Sequence, residues 1–425
     1  MECVETINEG ECLLVKGPAN IEVKNGRVMV LGGTFGSEER IVIPRGKAVS
    51  LRACTSTTLK IASGYVERIK EDVPPQWRVA VEELDKVEKP AVVPIIGGID
   101  TGKTTFTTFL GNMVLERGLK VAIVDADVGQ SDIGPPCSVA MGVLNHPVID
   151  MSKVELGDAY FVGSTTPSAY PHRMIAGVKI MVEKALMLRS DVVLVDTPGW
   201  ISGFRARDLN ITLLHILQPS MIIALQEKDE AEGILRVFSS SNIRIIRLPA
   251  LASCKRDREI RKFLREIAYR RHLRGGVNVT LNLESISLAY TTLFNGNRLS
   301  ADDEKKVSAI LGVNPVYAES SFDTLTLILP SEKDVSQEAV EALKQLFKGK
   351  EMHLLREKTF ENLLVALLGE RNRYLGIGIL KKIDYTTKEI TLYTPVPPNK
   401  ILTILFGSVK VMEDGVEIGP VRSKH

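Results

Sequence analysis

The stretch 92–105, VVPIIGGIDTGKTT, constrains the fold of this chain more than any other. Its apolar run ends in two glycines, and from Gly97 it fits the pattern G-x-x-x-x-G-K-[ST]. This pattern needs a strand, then a loop whose backbone N–H groups face inward, then a helix N-terminus. An amphipathic segment follows the pattern, and another apolar run lies at 120–124. Because a chance glycine-rich turn lacks this context, the stretch predicts a phosphate-binding loop in an α/β domain.

The residue types in this loop suit the phosphates of a nucleotide together with Mg²⁺. Glycines let the backbone approach phosphate oxygens, Lys103 brings a positive charge to the terminal phosphates, and the Thr104 hydroxyl is a ligand for Mg²⁺. The dipole of the helix that begins near Lys103 favours bound anions. The predicted nucleotide-binding residues are Gly97, Gly98, Ile99, Asp100, Thr101, Gly102, Lys103, Thr104 and Thr105.

The remaining sequence divides into three predicted domains, since 425 residues are too many for one ordinary core. Residues 1–75 read as short strands, with a hairpin signal at Asn25-Gly26, and predict a β-sandwich-like domain. Residues 76–90 are interpreted as a linker or short helix. Residues 91–275 alternate apolar strands with helices, which is typical of a parallel sheet. Residues 276–425 predict an α+β domain.

Periodicity also predicts individual elements of the central and C-terminal domains. Strands of the parallel sheet are expected at 95–97, 120–124, 159–162, 192–195, 221–225 and 244–248, with Pro94 at the start of the first. Helices are expected at 171–188, 301–311, 337–347 and 360–368.

Composition excludes several classes of protein. No apolar run reaches the length of a membrane span, and the acidic start MECVETINEGE is unlike a signal peptide. Five cysteines without a C-x-x-C pair argue against a disulfide framework or a zinc site and predict a cytoplasmic protein. The net charge is +2, yet residues 244–274 hold eleven Lys or Arg and three Asp or Glu, a local charge of +8. Such a segment is typical of a nucleic-acid or phosphate contact, or of a solvated helix face.

Carboxylates follow neighbouring strands of the predicted sheet. DADVGQ follows the strand at 120–124, and Asp196 follows four apolar residues, as in a Walker B pattern. Strand ends beside a phosphate loop face the ligand, where a carboxylate binds Mg²⁺ or accepts a proton from a nucleophile. Asp127 lies just beyond its strand and is the candidate general base, with turn capping as the alternative. The predicted metal ligands are Thr104, Asp127 and Asp196.

The segment after the fourth predicted strand leaves a second function open. Its DTPG sequence resembles the switch segment of GTPases, whose guanine-reading N-K-x-D motif should follow the next strand. QEKDE follows Leu225 instead, which weakens the GTPase interpretation. Trp200 comes directly after DTPG and is either a base-stacking residue at the edge of the site or a core residue.

The basic segment CKRDREIRKFLREIAYRR predicts a mobile helical lid near residues 254–274. Arg256, Arg261 and Arg265 are candidates to reach over a bound nucleotide. An arginine on the transferred phosphate stabilises the charge of the transition state, and a closed lid excludes water.

These motifs, in this order, resemble the polynucleotide 5′-hydroxyl kinases related to the eukaryotic pre-mRNA cleavage-complex kinase and the nucleolar rRNA-processing kinase, and an archaeal member most closely. The resemblance covers the three-domain layout, and its specific part runs from Gly97 to about Arg271. The motifs are a phosphate loop with Asp100 at its fourth position, D-x-G-Q at 127–130, the T-T-P clasp at 165–167, T-x-G-W at 197–200, and lid arginines Arg256 and Arg261.

The resemblance implies ATP-dependent transfer of the γ-phosphate to the 5′-hydroxyl end of RNA, with DNA left open as an acceptor. It implies that Lys103 and Thr104 hold the ATP phosphates and Mg²⁺, and that Asp127 is the general base. The remaining implied roles are terminal-nucleotide binding by Gln130 and Trp200, positioning of the accepting end by the clasp residues Thr165 and Thr166, and clamping of the phosphates by Arg256 and Arg261. The alternatives are a GTPase or switch ATPase, and a non-catalytic, ATP-bound RNA-processing scaffold.

Overall fold

The computed structural model describes residues 2–62, 64–251, 257–332 and 334–421. The chain forms two compact units. The first comprises the described residues of Met1–Val162 and Thr166–Ile260, and the second comprises those of Gly163–Thr165 and Arg261–His425. The domain boundaries drawn from the sequence stay predictions.

Antiparallel strands open the first unit. They are β1 Glu2–Ile7, β2 Cys12–Lys16, β3 Ala19–Asn25, β4 Val28–Val30, β5 Gly33–Phe35, β6 Arg40–Ile43, β7 Ala48–Ala53, β8 Thr57–Ala62 and β9 Tyr65–Ile69. One sheet has the order β1-β8-β3-β6 and another the order β5-β4-β7-β2-β9. Alternate residues of both sheets, including Val15, Ile21, Leu51 and Leu59, share one buried core. The predicted β-sandwich-like arrangement is confirmed.

The central sheet follows in the same unit. Its strands are β10 Ala91–Gly97, β11 Val121–Asp125, β12 Ser138–Leu144, β13 Asp158–Phe161, β14 Val192–Asp196, β15 Met221–Gln226 and β16 Arg244–Pro249. The order is β13-β12-β11-β14-β10-β15-β16. Strands β11, β14, β10, β15 and β16 run parallel, whereas β12 is antiparallel to both of its neighbours. The parallel core confirms the predicted α/β class, but the sequence interpretation missed β12.

Pro94 lies inside β10 rather than at its start. The ladder between β10 and β15 spans only Ile95–Gly97, whereas the ladder with β14 begins at Ala91. Two residues before Pro94, the backbone of Val92 bonds to Ser220 on the β15 side of the strand. Residues two apart in a strand direct their backbone groups to the same side. The position without an N–H at Pro94 therefore faces the β15 side, where the ladder begins only at Ile95.

The helices of the first unit are α1 Pro75–Asp85, α2 Lys103–Glu116, α3 Pro171–Met187, α4 Phe204–Leu217 and α5 Glu232–Leu235. Helix α1 lies in the segment interpreted as a linker or short helix. Its Trp77 is buried, and the ring packs edge-on against Phe106 of α2 with 5.1 Å between ring centroids. This contact makes α1 part of the packing around the helix that follows the phosphate loop.

The second unit mixes strands and helices, as the predicted α+β class requires. Its elements are α6 Arg258–Leu273, which begins in the first unit, β17 Val277–Asn282, β18 Ser287–Ala289, β19 Asn297–Arg298, α7 Ala301–Leu311, β20 Tyr317–Ser320, β21 Thr324–Leu329, α8 Gln337–Leu346, β22 Glu351–Arg356, β23 Leu363–Leu368, β24 Tyr374–Asp384, β25 Glu389–Thr394, β26 Thr403–Val411 and β27 Glu417–Pro420. The sheet orders are β17-β25-β24-β23-β26-β18, with β27 beside β26, and β19-β20-β21-β22.

The predicted helix at 360–368 is wrong, because this segment contains strand β23. The run LLVALL pairs with β24 on one side and with β26 on the other. Leu363 to Leu367 are all buried, so the strand shows no alternation of apolar and polar residues. A short continuous apolar run is compatible with either a buried strand or a buried helix, and periodicity alone does not separate them.

Within the part of the chain that the structure describes, no helix has the length and apolar character needed to cross a membrane.

Candidate active site

The phosphate loop connects β10 to α2, and two of its glycines are sterically required. Gly102 has φ +88°, in the left-handed region, and a Cβ there would lie 2.9 Å from Leu251 Cδ1. A Cβ on Gly97 would lie 2.5 Å from the carbonyl oxygen of Leu225 on β15. Asp100 also has a positive φ, +59°. The loop therefore turns tightly against the neighbouring strand and leads directly into the N-terminus of α2.

Lys103 is the first residue of α2 and is 7% exposed. Its Nζ donates a hydrogen bond of 2.7 Å to the Gly98 carbonyl oxygen, which also accepts one from Thr101 Oγ1 at 3.0 Å. Burial lowers the pKa of Lys103, and nearby carboxylates, Asp196 foremost, act in the opposite direction. The ammonium group is thus held at the loop beside acidic groups. An anionic ligand can replace the Gly98 carbonyl oxygen as the acceptor of its hydrogen bond.

Asp196 ends β14 in register with Ile95 of β10 and Asp125 of β11. Its Oδ2 accepts a hydrogen bond of 2.6 Å from Thr104 Oγ1. Its Oδ1 is buried and has no hydrogen-bond partner among the described residues. Burial raises the pKa of Asp196 to about 7, although Lys103 and Thr104 lower it. An unpaired buried carboxylate oxygen next to a hydroxyl is a donor set that suits a hard divalent cation.

No group of three or more His, Cys, Asp or Glu side chains that could hold a metal ion occurs in the described ranges. In nucleotide sites Mg²⁺ binds through one or two carboxylates together with water and substrate phosphates. Thr104 and Asp196 fit such a partial ligand set.

Asp125 organises the segment after β11, a role that the sequence interpretation did not assign. Its Oδ2 accepts hydrogen bonds from Ser131 Oγ at 2.9 Å, Asp132 N at 2.7 Å and Ile133 N at 3.1 Å. Burial, together with the neighbouring Asp196, raises the pKa of Asp125 well above its usual range. Its contacts bring residues 131–133 back to the end of β11 and fix the intervening residues between them.

Asp127 lies in that intervening segment and is partly exposed. Its Oδ1 accepts hydrogen bonds from Gly129 N at 3.0 Å and Gln130 N at 3.1 Å. No described donor bonds to its Oδ2. Asp127 therefore caps a turn, as the alternative interpretation held, and its role as general base stays a prediction. The partly exposed Gln130 is fixed through its backbone by the same turn.

The turn after β14 packs against the phosphate loop. Thr197 Oγ1 donates a hydrogen bond of 2.7 Å to the Ile95 carbonyl oxygen. A Cβ on Gly199 would lie 2.8 Å from Ile99 Cγ1 and 2.9 Å from Ile99 Cα, so only glycine fits there without displacement. Trp200 follows, partly buried against the core of the central sheet, and its carbonyl oxygen accepts a 3.0 Å hydrogen bond from Asn210 Nδ2. Trp200 is thus a packing residue that follows directly after the glycine in contact with the loop.

The remaining predicted site residues are distributed more widely. Thr166 is exposed after β13, at the edge of the sheet that also carries the phosphate loop, and its Oγ1 lies 3.0 Å from Ser168 Oγ. Strand β13 is separated from β11 by β12, a spacing of about 10 Å. Thr165 and Arg261 belong to the second unit, and their part in the site stays a prediction. Arg256 lies outside the described residues.

Comparison with known proteins identifies the family. A family model described as the P-loop of the mRNA cleavage and polyadenylation factor CLP1 matches residues 97–275. The polyribonucleotide 5′-hydroxyl-kinase of Thermococcus kodakarensis is 32% identical to this chain over 360 residues, which are 84% of this chain and 98% of that protein. The chain belongs to the polyribonucleotide 5′-hydroxyl-kinase family.

Other similarities agree with this assignment. The family member of Methanocaldococcus jannaschii is 30% identical over 82% of this chain and 94% of its own length. A structure of the wild-type Clp1p–Pcf11p complex contains a chain with a similar fold, at a TM-score of 0.65 and 14% identity, covering 96% of this chain and 98% of that chain. At this identity the likeness shows the fold alone. The family resemblance inferred from the motifs is confirmed.

Proposed function

We propose that this protein transfers the γ-phosphate of ATP to the 5′-hydroxyl end of RNA. Family membership supports a phosphotransferase, and relatives that it matches along most of their length are named polyribonucleotide 5′-hydroxyl-kinases. The observation that carries the proposal is the convergence of Lys103 and the Thr104–Asp196 pair on one phosphate loop, with Asp127 after the adjacent strand. DNA stays open as a second acceptor.

The loop residues bind the phosphates of ATP through backbone N–H groups and the ammonium group of Lys103. Thr104 and Asp196 would hold Mg²⁺, and Asp127 is a further proposed ligand. Bound Mg²⁺ neutralises negative charge on the phosphates. In this arrangement the hydrogen bond from Lys103 Nζ to the Gly98 carbonyl oxygen holds the side chain at the loop, where the negative charge of Asp196 acts on it.

The acceptor hydroxyl reacts beside Asp127. Its oxygen forms a bond to the γ-phosphorus, the bond from that phosphorus to the β–γ bridging oxygen breaks to release ADP, and the hydroxyl proton passes to Asp127 Oδ2. Gln130 and Trp200 hold the terminal nucleotide, and Thr165 and Thr166 position the accepting end. The lid arginines Arg256 and Arg261 add positive charge over the phosphates.

The test measures ADP formation with a short RNA that has a free 5′-hydroxyl, with the same RNA already 5′-phosphorylated, and without RNA. The variant Lys103→Ala serves as the blank. We expect ADP formation only with the free hydroxyl, and none in the blank. ADP formation without an acceptor would favour a switch nucleotidase, and RNA binding without ADP formation would favour a scaffold. Either result would contradict the proposal.

A further inference from the structure

Phe204 is an exposed aromatic residue close to the candidate site. It is the first residue of α4, and 81% of its surface is exposed. The next residue, Arg205, is also exposed and forms no hydrogen bond or ion pair with any described residue. An aromatic residue and a cationic residue therefore occupy two consecutive exposed positions at the start of α4.

Packing of α4 does not explain this pair. The buried residues of the helix are Ala206, Leu209, Asn210, Leu213, Leu214 and Leu217. These recur at helical spacing and define the inward face, which Phe204 and Arg205 precede. Single exposed apolar residues are common on protein surfaces, so the exposure of Phe204 alone has no functional meaning. The position of the residue is what matters.

That position is fixed by the turn after β14. Gly199 packs against Ile99 of the phosphate loop, and the Trp200 carbonyl is bonded to Asn210 of α4. Four residues of chain reach at most about 14 Å, so the Cα atom of Phe204 lies within that distance of the Cα atom of Trp200. A polynucleotide whose terminal nucleotide lies at Trp200 can therefore reach Phe204 with the nucleotides that follow.

We propose that Phe204 and Arg205 form a platform for the acceptor strand beyond its 5′-terminal nucleotide. A base stacks on the Phe204 ring, and a phosphate of the strand pairs with Arg205. This inference rests on the proposed function and names the part of the substrate that the platform recognises. Aromatic stacking with a neighbouring cation is a common, sequence-tolerant means of binding single strands, because every base has a π-face.

The test compares two acceptors that both carry a free 5′-hydroxyl, a short oligoribonucleotide and a nucleoside 3′-monophosphate. In Phe204→Ala we expect KM for the oligonucleotide to rise about tenfold, with kcat, KM for ATP and KM for the mononucleotide little changed. Phe204→Tyr keeps an aromatic ring and should restore most of the affinity. Arg205→Ala should raise the oligonucleotide KM and make it less dependent on salt.

Phe322→Ala is the matched control, because Phe322 is 99% exposed in the turn between β20 and β21. The platform would be overturned by an unchanged oligonucleotide KM in Phe204→Ala, or by an equal rise in KM for both acceptors. Phosphate transfer by the wild-type protein would still support the proposed function. If the wild-type protein transfers no phosphate, the proposed function fails. In that case, direct binding of the oligonucleotide to wild type and to Phe204→Ala tests whether the platform exists. Equal affinity of the two proteins would overturn it.

Discussion

Thr104 and Asp196 illustrate how a single hydrogen bond supports the proposed chemistry. The Thr104 hydroxyl orients one carboxylate oxygen of Asp196, while the other oxygen stays buried without a described partner. Such an arrangement is costly unless the free oxygen gains a ligand, because a buried unsatisfied acceptor costs about 1–3 kcal/mol. The Thr104–Asp196 pair therefore favours a site that binds a cation over a pair that serves only to stabilise the fold.

We expect Thr104→Val to raise the Mg²⁺ concentration needed for half-maximal phosphate transfer by about tenfold or more, since it removes both a ligand and the group that orients Asp196. The measurement is a Mg²⁺ titration of transfer at saturating ATP. Thr108→Val is the control, because the buried Thr108 donates to the Thr104 carbonyl oxygen one turn further along α2. Equal Mg²⁺ requirements in the two variants would contradict the assignment.

A substitution at Asp127 separates its two interpretations, general base and turn cap. Asp127→Asn keeps an oxygen that accepts from Gly129 and Gln130, so we expect the turn and ATP affinity to be preserved. It removes the proton acceptor, and kcat for transfer should fall about 10²-fold or more. Single-turnover transfer and equilibrium ATP binding are the measurements. Asp208→Asn, on the exposed face of α4, is the control. Undiminished transfer by Asp127→Asn would leave turn capping as its role.

The local motifs could be predicted from sequence because each is a short run of neighbouring residues. Lys103, Thr104 and Asp196 lie where the phosphate-loop and strand-end patterns imply. Asp125 was passed over because its partners, Ser131 and the backbone of residues 132 and 133, lie six to eight positions away. Such bonds depend on how the chain turns back after β11, which residue types alone do not specify.

At the scale of elements, the site depends on three strand ends held in register. Ile95, Asp125 and Asp196 align across β10, β11 and β14, which brings the loop and both carboxylates to the same edge of the sheet. The turn after β14 then contacts the loop at Gly199 and Ile99. Parallel pairing thus positions the chemistry, and close backbone packing holds the loop against the turn.

We expect Gly199→Ala to weaken both ATP and oligonucleotide binding, because its Cβ would displace the backbone of Ile99. A loss of at least about tenfold in kcat/KM for both substrates is expected, since displacements of about 1 Å are sufficient for such effects. Gly111→Ala is the control. A Cβ at Gly111 of α2 meets its nearest neighbour at 3.5 Å, and alanine favours a helix. Full activity in Gly199→Ala would mean that the turn and loop move independently.

Elements with a clear period were predicted more successfully than continuous apolar runs. Helix α3 presents Val178, Met181, Val182 and Ala185 at helical spacing to the core, as the pattern indicated. Strands β12 and β23 are continuous apolar runs without alternation, and one was missed while the other was assigned as a helix. Their burial follows from neighbours in the sheet, and the local sequence contains no signal of those neighbours.

At the scale of the whole molecule, charge is distributed unevenly. The chain has a net charge of +2, whereas residues 244–274 carry a local charge of +8. Part of this charge is paired in the second unit, since Arg265 donates to both carboxylate oxygens of Glu417 at 2.6 and 2.9 Å. The part of this segment that forms α6, Arg258–Leu273, therefore contributes to packing of the second unit, while contact with phosphates stays a proposal.

We expect KM for the oligonucleotide to rise about tenfold or more between 50 and 200 mM salt, because each neutralised phosphate releases counterions. KM for ATP should change less, since fewer exposed contacts are involved. Transfer rates measured over a salt series test this. If the oligonucleotide KM does not depend on salt, the basic segment is a solvated helix face and does not contact the phosphates of the substrate.

The family followed from the order of the motifs along the chain, and the α/β class with its flanking β-rich and α+β parts followed from the pattern of strands and helices. The extents of the domains, the part of the lid arginines and the cytoplasmic location stay predictions. They depend on residues far apart in sequence or on the cellular setting, neither of which is encoded in a short motif.

The most direct measurement uses ATP labelled in its γ-phosphate and follows the label into RNA. One RNA has a free 5′-hydroxyl and its twin is already 5′-phosphorylated, with Lys103→Ala as the blank. We expect label only on the free hydroxyl end, removable by a phosphatase and absent from the blank. ATP consumption without label on RNA, or equal label on both RNAs, would contradict a 5′-hydroxyl kinase.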